Sequence, residues 1–244
     1  MTPEYQGYQT YPGVLGAERS LALVNGFMRR VYNWMAAGLA LSALAAWFTA
    51  SSPAVLGLFF NLQTGAPTML FWVAIVGELG LVLAISAGIR RFQVGTAGAL
   101  FVAYALLNGV TLSMVLLAYT GGSVMKAFLV TAGTFAVTSV WASTTKKDLS
   151  AWGSFLFMGL IGIIIASLVN FFFRSPMMDW IISVVGVGLF VGLTAYDTQK
   201  LRAMVLEAAN EVTVSKMAIF GALQLYLDFI NLFLMLLRLM GDRR

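Results

Sequence analysis

Seven runs of apolar residues, separated by short polar intervals, set the pattern of the chain. They are Val31–Thr49, Met69–Ala87, Gly95–Ala118, Met125–Ser143, Phe155–Phe173, Trp180–Thr198 and Met217–Leu239. Each has about the 20 residues needed to cross ~30 Å of hydrocarbon at 1.5 Å per residue. The ~10-residue alternating segments of a membrane barrel are missing, so each run predicts an α-helix. The expected fold is an all-α membrane protein with seven transmembrane helices. No interval is long enough to hold a second domain. Residues 1–20 contain Tyr, Gln, Gly and Pro and lack the apolar core of a cleavable signal. They are expected to form a flexible cytoplasmic tail ahead of a transmembrane domain over 21–244.

Composition agrees with a lipid solvent. The 244 residues are 60% hydrophobic and only 10% charged, against about 25% charged in a soluble domain. Mean hydropathy is +0.87. The net charge of +5 reads as basic loops on one side of a membrane, with no nucleic-acid patch. Cysteine is absent, which excludes thiolate metal sites and leaves the redox compartment undetermined. Histidine is also absent, so titration near neutrality falls to perturbed carboxylates.

Lys and Arg in short loops predict the orientation. Arg19, Arg29 and Arg30 precede the first span, and Arg90 and Arg91 fill the second loop. Lys146 and Lys147 lie in the fourth loop, and Lys200, Arg202 and Lys216 flank the sixth. All fall on one side if seven helices alternate, which places the N-terminus in the cytoplasm. Lys126, Arg174, Arg238, Arg243 and Arg244 fall on the other side. For the last three, charge favours a re-entrant seventh segment and length favours a full span; the expectation taken is the full span. Gly159, Gly162 and Ala166 share one face of the fifth segment, and Gly186, Gly188 and Gly192 thin the sixth. This is the spacing of ordinary close helix packing.

The polar residues inside these runs carry the candidate chemistry. Asp228 lies in the middle of the last run, and its carboxylate is costly at that depth. Gln224, Asp228 and Asn231 stand at i, i+4 and i+7 and share a helix face. Asp197 ends the sixth run, but good helix formers continue from Lys200 to Ala208. If that helix runs to Ala209, breaks near Asn210–Thr213 and the next starts near Lys216, the two form an antiparallel hairpin. Asp197 and Asp228 are then equidistant from the turn, with Thr194 and Asn231 the next such pair. Two carboxylates sharing a low-dielectric site hold one proton between them. The pair can bind a proton or a cation, in competition. With amide or water oxygens it makes a weak, transient calcium site, suited to a conducting path more than to storage.

Glu78 is a third intramembrane acid, in the second segment. Arg90 and Arg91, at the cytoplasmic end of that segment, are within reach of a carboxylate at that level as a charge-assisted latch, or serve simply as positive-inside anchors. Tyr104, Asn108 and Thr111 share a face of the third segment, and Thr131, Thr134 and Thr138 a face of the fourth. Either stripe lines a cavity or bonds across helices.

The string Gly221-Ala222-Leu223-Gln224-Leu225-Tyr226-Leu227-Asp228-Phe229-Ile230-Asn231-Leu232-Phe233-Leu234 resembles the C-terminal signature of the Bax-inhibitor (transmembrane Bax inhibitor motif) family. Ala195-Tyr196-Asp197-Thr198-Gln199-Lys200-Leu201 resembles its sixth-helix motif and Lys146-Lys147-Asp148-Leu149-Ser150 its basic fourth loop. The likeness covers about residues 20–244 and suggests a prokaryotic member, in the inner membrane if bacterial. It implies six helices around a central seventh. It also implies a pH-sensitive calcium leak with Asp197 and Asp228 as sensor and Glu78 as the helix-two acid. Some members have an arginine that latches a sensor aspartate, a role for which Arg90 and Arg91 are the candidates here.

Calcium and protons, with the surrounding lipids, are the expected partners; no nucleic acid, no cofactor and no enzymatic activity are expected. The alternative is a non-conducting interaction protein that regulates a membrane protease or quality-control partner. An intramembrane aspartyl protease also uses two membrane aspartates, one in a Tyr-Asp motif like Tyr196-Asp197. Its second motif needs Gly-x-Gly-Asp, whereas Leu225-Tyr226-Leu227 precedes Asp228. Retinal binding fails because no lysine lies mid-membrane in the last helix.

Overall fold

A computed structural model describes residues 12–89, 91–208 and 210–243. The chain is all-α. Helix α1 covers Pro12–Ser51, the short α2 Pro53–Phe59, α3 Met69–Gly88, α4 Val94–Ala118 and α5 Gly121–Thr144. Then follow α6 Gly153–Phe173, α7 Pro176–Met204 and α8 Glu211–Met240. All except α2 are long and apolar enough to cross a membrane. Of the tail expected over residues 1–20, Met1–Tyr11 lie outside the described residues and Pro12–Ser20 are helical. The first helix thus begins well before the apolar run at Val31. Val24, Phe27 and Met28 explain the extension, because they are buried against Leu201, Val205 and Val214 at the turn between α7 and α8.

Helix α8 is the central element. Its most apolar window is 67% buried, against 33% or less in every other span. Buried positions fall all round it, from Ala222, Leu223 and Leu225 to Tyr226, Phe229 and Leu232. A helix buried on every side, Asp228 included, is surrounded by other protein and not by lipid. Helices α1, α3, α4, α5 and α7 lie directly against it, while α6 packs on α7. Helix α6 still joins the centre through one cluster, in which its Leu156 and Ile163 meet Leu232 and Met235 of α8. Its outer face, with Phe157, Ile164, Phe171 and Phe172, is exposed, as a lipid-facing surface would be.

Helix α8 is continuous over 30 residues. This is the full span that length predicts. The basic residues that argued for re-entry have a different explanation. Arg238 and Arg243 each lie 3.6 Å from the carboxylate of Asp179, in the first turn of α7. Asp242 adds a second acid there and accepts from the Ser123 hydroxyl at 3.3 Å. Two of the basic residues at this end therefore share one acidic partner.

Small residues set the crossings. A Cβ on Gly159 would come within 2.9 Å of Leu189, one on Gly192 within 2.8 Å of Leu156, and one on Gly186 within 2.8 Å of Met235. Gly162 and Gly188, in the same expected stripes, have open space around them. The tightest crossing is α1 on α4, where a Cβ on Gly109 would collide with the Ser42 carbonyl oxygen and lie 2.6 Å from Ala45 Cβ. Close van der Waals fit is what holds membrane helices together, since lipid is as apolar as Leu. Gly109→Ala should therefore lower stability by about 1–3 kcal/mol, the usual cost of overpacking, whereas Gly162→Ala should leave it unchanged. Thermal unfolding in detergent reads both, and equal melting of the two variants would contradict this account of the crossing.

Candidate functional site

The last two helices form an antiparallel hairpin, with its turn placed slightly earlier than expected. Helix α7 runs to Met204, and a 3-10 turn at Val205–Glu207 carries the chain on to Asn210. Asn210 caps α8, its side-chain oxygen accepting from the Thr213 N–H at 2.9 Å. A good N-cap starts the helix at Glu211 instead of Lys216. Arg30 of α1 pairs with Glu211 and so ties the turn to the first helix.

Seven residues before the end of α7, Asp197 is buried, as is Asp228 on α8, 8% and 5% exposed. The hairpin brings their carboxyl groups within hydrogen-bond reach of each other. Neither carboxylate has a donor to offer unless one is protonated. Oδ2 of Asp228 is buried with no hydrogen-bond partner, and so are Oε1 of Gln224, one turn earlier on α8, and Oγ1 of Thr198, beside Asp197. Asn231, the third member of the expected stripe, donates its Nδ2 to the Leu227 carbonyl of its own helix at 2.8 Å. Thr194 likewise bonds back to the Phe190 carbonyl at 2.8 Å. Among the described residues, no group of three or more acidic side chains gathers as a metal site. Two carboxylates are the acidic ligands that this place offers a cation.

Lys200, one turn beyond Asp197, is the cation that acts electrostatically on both aspartates. Its Nζ lies 5.7 Å from the ring centroid of Tyr196. Arg91 is exposed in the turn after α3 and forms no ion pair among the described residues. Arg90 lies outside the described residues. A helix-end arginine was the sequence candidate for this neighbourhood. In the sequence Lys200 reads only as a loop cation that sets orientation, although its i+3 spacing from Asp197 is visible there.

Glu78 belongs to a separate cluster. Both of its oxygens accept hydrogen bonds from α4: Oε2 from Asn108 Nδ2 at 3.0 Å and Oε1 from Thr111 Oγ1 at 2.7 Å. The chain of bonds continues across the bundle. The Tyr226 hydroxyl of α8 donates to Asn108 Oδ1 at 2.8 Å. It also meets Ser42 Oγ of α1 at 2.6 Å, and Ser42 reaches the Ala105 carbonyl of α4, again at 2.6 Å. Four helices thus share one buried relay. Tyr104, the first member of its expected stripe, packs edge-on against Tyr226 at 5.5 Å without joining the hydrogen bonds. Thr131 of α5 is satisfied within its own helix by the Ala127 carbonyl at 2.7 Å.

Tyr226 and Ser42 were missed by sequence reasoning. A signal existed for the tyrosine: a phenol buried in an apolar helix needs a partner for its hydroxyl. Tyr226→Phe and Asn108→Leu should each cost roughly 0.6–1.7 kcal/mol, the measured range for interhelical bonds in membranes. The double variant should lose less than the sum, because both changes cut the same bond. Chemical unfolding in detergent provides the cycle, and strict additivity would mean that the two groups are not coupled.

Comparison with known proteins agrees with this architecture. The sequence model of the family described as Inhibitor of apoptosis-promoting Bax1 matches residues 24–244. The chain is 47% identical over 221 residues to Inner membrane protein YbhL of Escherichia coli (strain K12), covering 89% of this chain and 92% of that one. It is 44% identical over 229 residues to an uncharacterised protein of Borreliella burgdorferi, covering 93% and 96%. It is 36% identical over 220 residues to an uncharacterised membrane protein of Streptococcus pyogenes serotype M3, covering 89% and 93%. With a match that takes in the whole seven-helix bundle, this chain is an integral membrane protein of the Bax-inhibitor family.

Proposed function

We propose that the protein is a pH-sensitive calcium leak of a bacterial inner membrane, with its N-terminus in the cytoplasm, no enzymatic activity and the Asp197–Asp228 pair as sensor. The observation that carries this reading is the facing of two buried carboxyl groups across the α7–α8 hairpin. Side by side in a low-dielectric site, the two cannot both ionise cheaply, so one proton stays with the pair. When it leaves, two negative charges face each other and a cation becomes the alternative occupant. The unpartnered oxygens of Asp228 and Gln224 supply further acceptors to such a visitor. Calcium favours six or more oxygen ligands. A site this poor in them lets the ion go again, as conduction requires. The side on which Arg29, Arg91, Lys146, Lys147 and Lys200 gather supports the cytoplasmic assignment by the positive-inside rule.

Calcium efflux from proteoliposomes containing only the purified protein, followed across pH, tests the reading. Wild type should conduct with a pH-dependent transition. Asp228→Asn keeps the size but removes the like charge beside Asp197, so the transition should move to lower pH or vanish, and Asp197→Asn should act alike. The double variant should add little to either, because the response belongs to the pair. Wild-type pH profiles in both single variants would reject the sensor. An absence of flux in wild type would leave the non-conducting interaction protein as the better reading.

Lys200→Gln should act in the opposite sense. A nearby cation stabilises charged carboxylates, so its removal makes the second ionisation harder and should move the transition to higher pH. A shift in the same direction as Asp228→Asn would exclude an electrostatic role for Lys200.

A further inference from the structure

On the side that carries Arg29 and Arg91, a cavity of about 420 Å³ opens between the α5–α6 loop and the end of α7. Lys146, Lys147, Ser150, Tyr196, Gln199 and Lys200 help to line it. We propose that this cavity binds a phosphate-bearing anion, either the headgroup of an acidic phospholipid or free phosphate.

Three observations converge on such a ligand. First, three ammonium groups surround one concavity, and none of them forms an ion pair among the described residues. Two acids, Asp148 and Glu207, also contribute to the lining, so the cavity keeps a net positive charge. Asp148 is already occupied. Its Oδ1 accepts from the Ser150 N–H at 2.8 Å, and the bonds from Ser150 hold its carboxylate below the ordinary range. It stays ionised, and the three lysines still outnumber the two acids of the lining.

Second, the loop that carries two of the lysines is fastened by its backbone to the helix that carries the third. Gln199 of α7 clamps the loop, its Oε1 accepting from the Leu149 N–H at 2.7 Å and its Nε2 donating to the Lys147 carbonyl at 2.8 Å. Thr145 Oγ1 accepts from the Lys147 N–H at 3.2 Å. The backbone of Lys147 is thus fixed against the helix that carries Lys200. A site already in its binding arrangement spares the ligand that ordering cost.

Third, the cavity lies where such anions are found. It faces the end of the bundle where α5 finishes and α6 begins, beside the exposed aromatic rings of Trp152 and Phe155. Trp is enriched at membrane–water interfaces, which puts the lysines at headgroup level. Basic pockets between membrane helices at that level suit anionic headgroups. This site does not depend on calcium conduction, and binding is measured without it.

The test uses the full-length protein in neutral nanodiscs of phosphatidylcholine. Thermal unfolding is followed on adding phosphatidylglycerol, additional phosphatidylcholine or inorganic phosphate. Phosphatidylglycerol should raise the midpoint and phosphatidylcholine should not. A rise with inorganic phosphate alone identifies free phosphate as the ligand and still supports the site. Lys146→Gln/Lys147→Gln, in an exposed loop away from the aspartates, should weaken the apparent affinity about fivefold for each lysine, equivalent to ~1 kcal/mol apiece. Lys126→Gln/Arg174→Gln, with the same change in net charge on the opposite side, should bind as wild type does. Equal loss in the two double variants, or no shift with either anion, would overturn the proposal. Calcium flux enters none of these arms, so a failed leak and a failed anion site are told apart.

Discussion

A helix surrounded by protein and lipid has no water to satisfy its polar groups, and the rest of the bundle is arranged around meeting this need on α8. An unpaired polar group in such a medium costs several kcal/mol. Helix α8 carries Gln224, Tyr226, Asp228 and Asn231 along two turns. Asn231 turns back on its own backbone. Tyr226 is met by α4 and α1. Asp228 is met by a second acid on α7, which answers its need only when a proton lies between them. The central helix is therefore satisfied on one side by ordinary donors and acceptors and on the other by a titratable contact.

Much of this could be read in the sequence because hydrocarbon imposes length and polarity directly. Seven runs of about 20 apolar residues gave seven spans, and the Gly221–Leu234 string pointed to the family that the comparison shows. The equidistance of Asp197 and Asp228 from a turn followed from helix geometry alone. The pair still meets although α7 ends and its closing 3-10 turn falls at Val205–Glu207, earlier than the break expected at Asn210–Thr213. The reach of α1 back to Pro12 was not legible. It rests on tertiary burial of Val24, Phe27 and Met28 in a stretch whose charges, Glu18, Arg19, Arg29 and Arg30, break the apolar run.

Partnerships between distant helices were the least legible. Ser42 sits among small apolar residues and looks like a packing residue. Only the fold shows that it lies beside Tyr226 and the Ala105 carbonyl. Asp179 reads as a helix N-terminal acid, and its service to Arg238 and Arg243 depends on α7 and α8 being antiparallel. These ion pairs are half-exposed, so they contribute little stability. The full span rests on the unbroken length of α8, and the pairs join its far end to the start of α7. Glu78 reads in the sequence only as a third intramembrane acid, and the structure surrounds it with an amide and a hydroxyl from α4.

The two acidic clusters differ in a way that follows from their donors. Glu78 accepts a hydrogen bond on each oxygen from the ordinary donors of α4. The Asp197–Asp228 pair has no such donors and is satisfied only by a proton or a cation. Tyr226 and Asp228 are two positions apart on α8, roughly 200° around the helix, so the two clusters hold opposite sides of the same element. The relay fixes α8 to α1 and α4, and through Asn108 to α3, with bonds that need no shared proton. The hold on α7 at the level of the aspartates does need one. On the proposed reading, loss of that proton would bear on one side of the central helix while the other stays bonded. A change in charge at Asp228 is then felt first as a change between α7 and α8, next to Lys200 and the cavity below it.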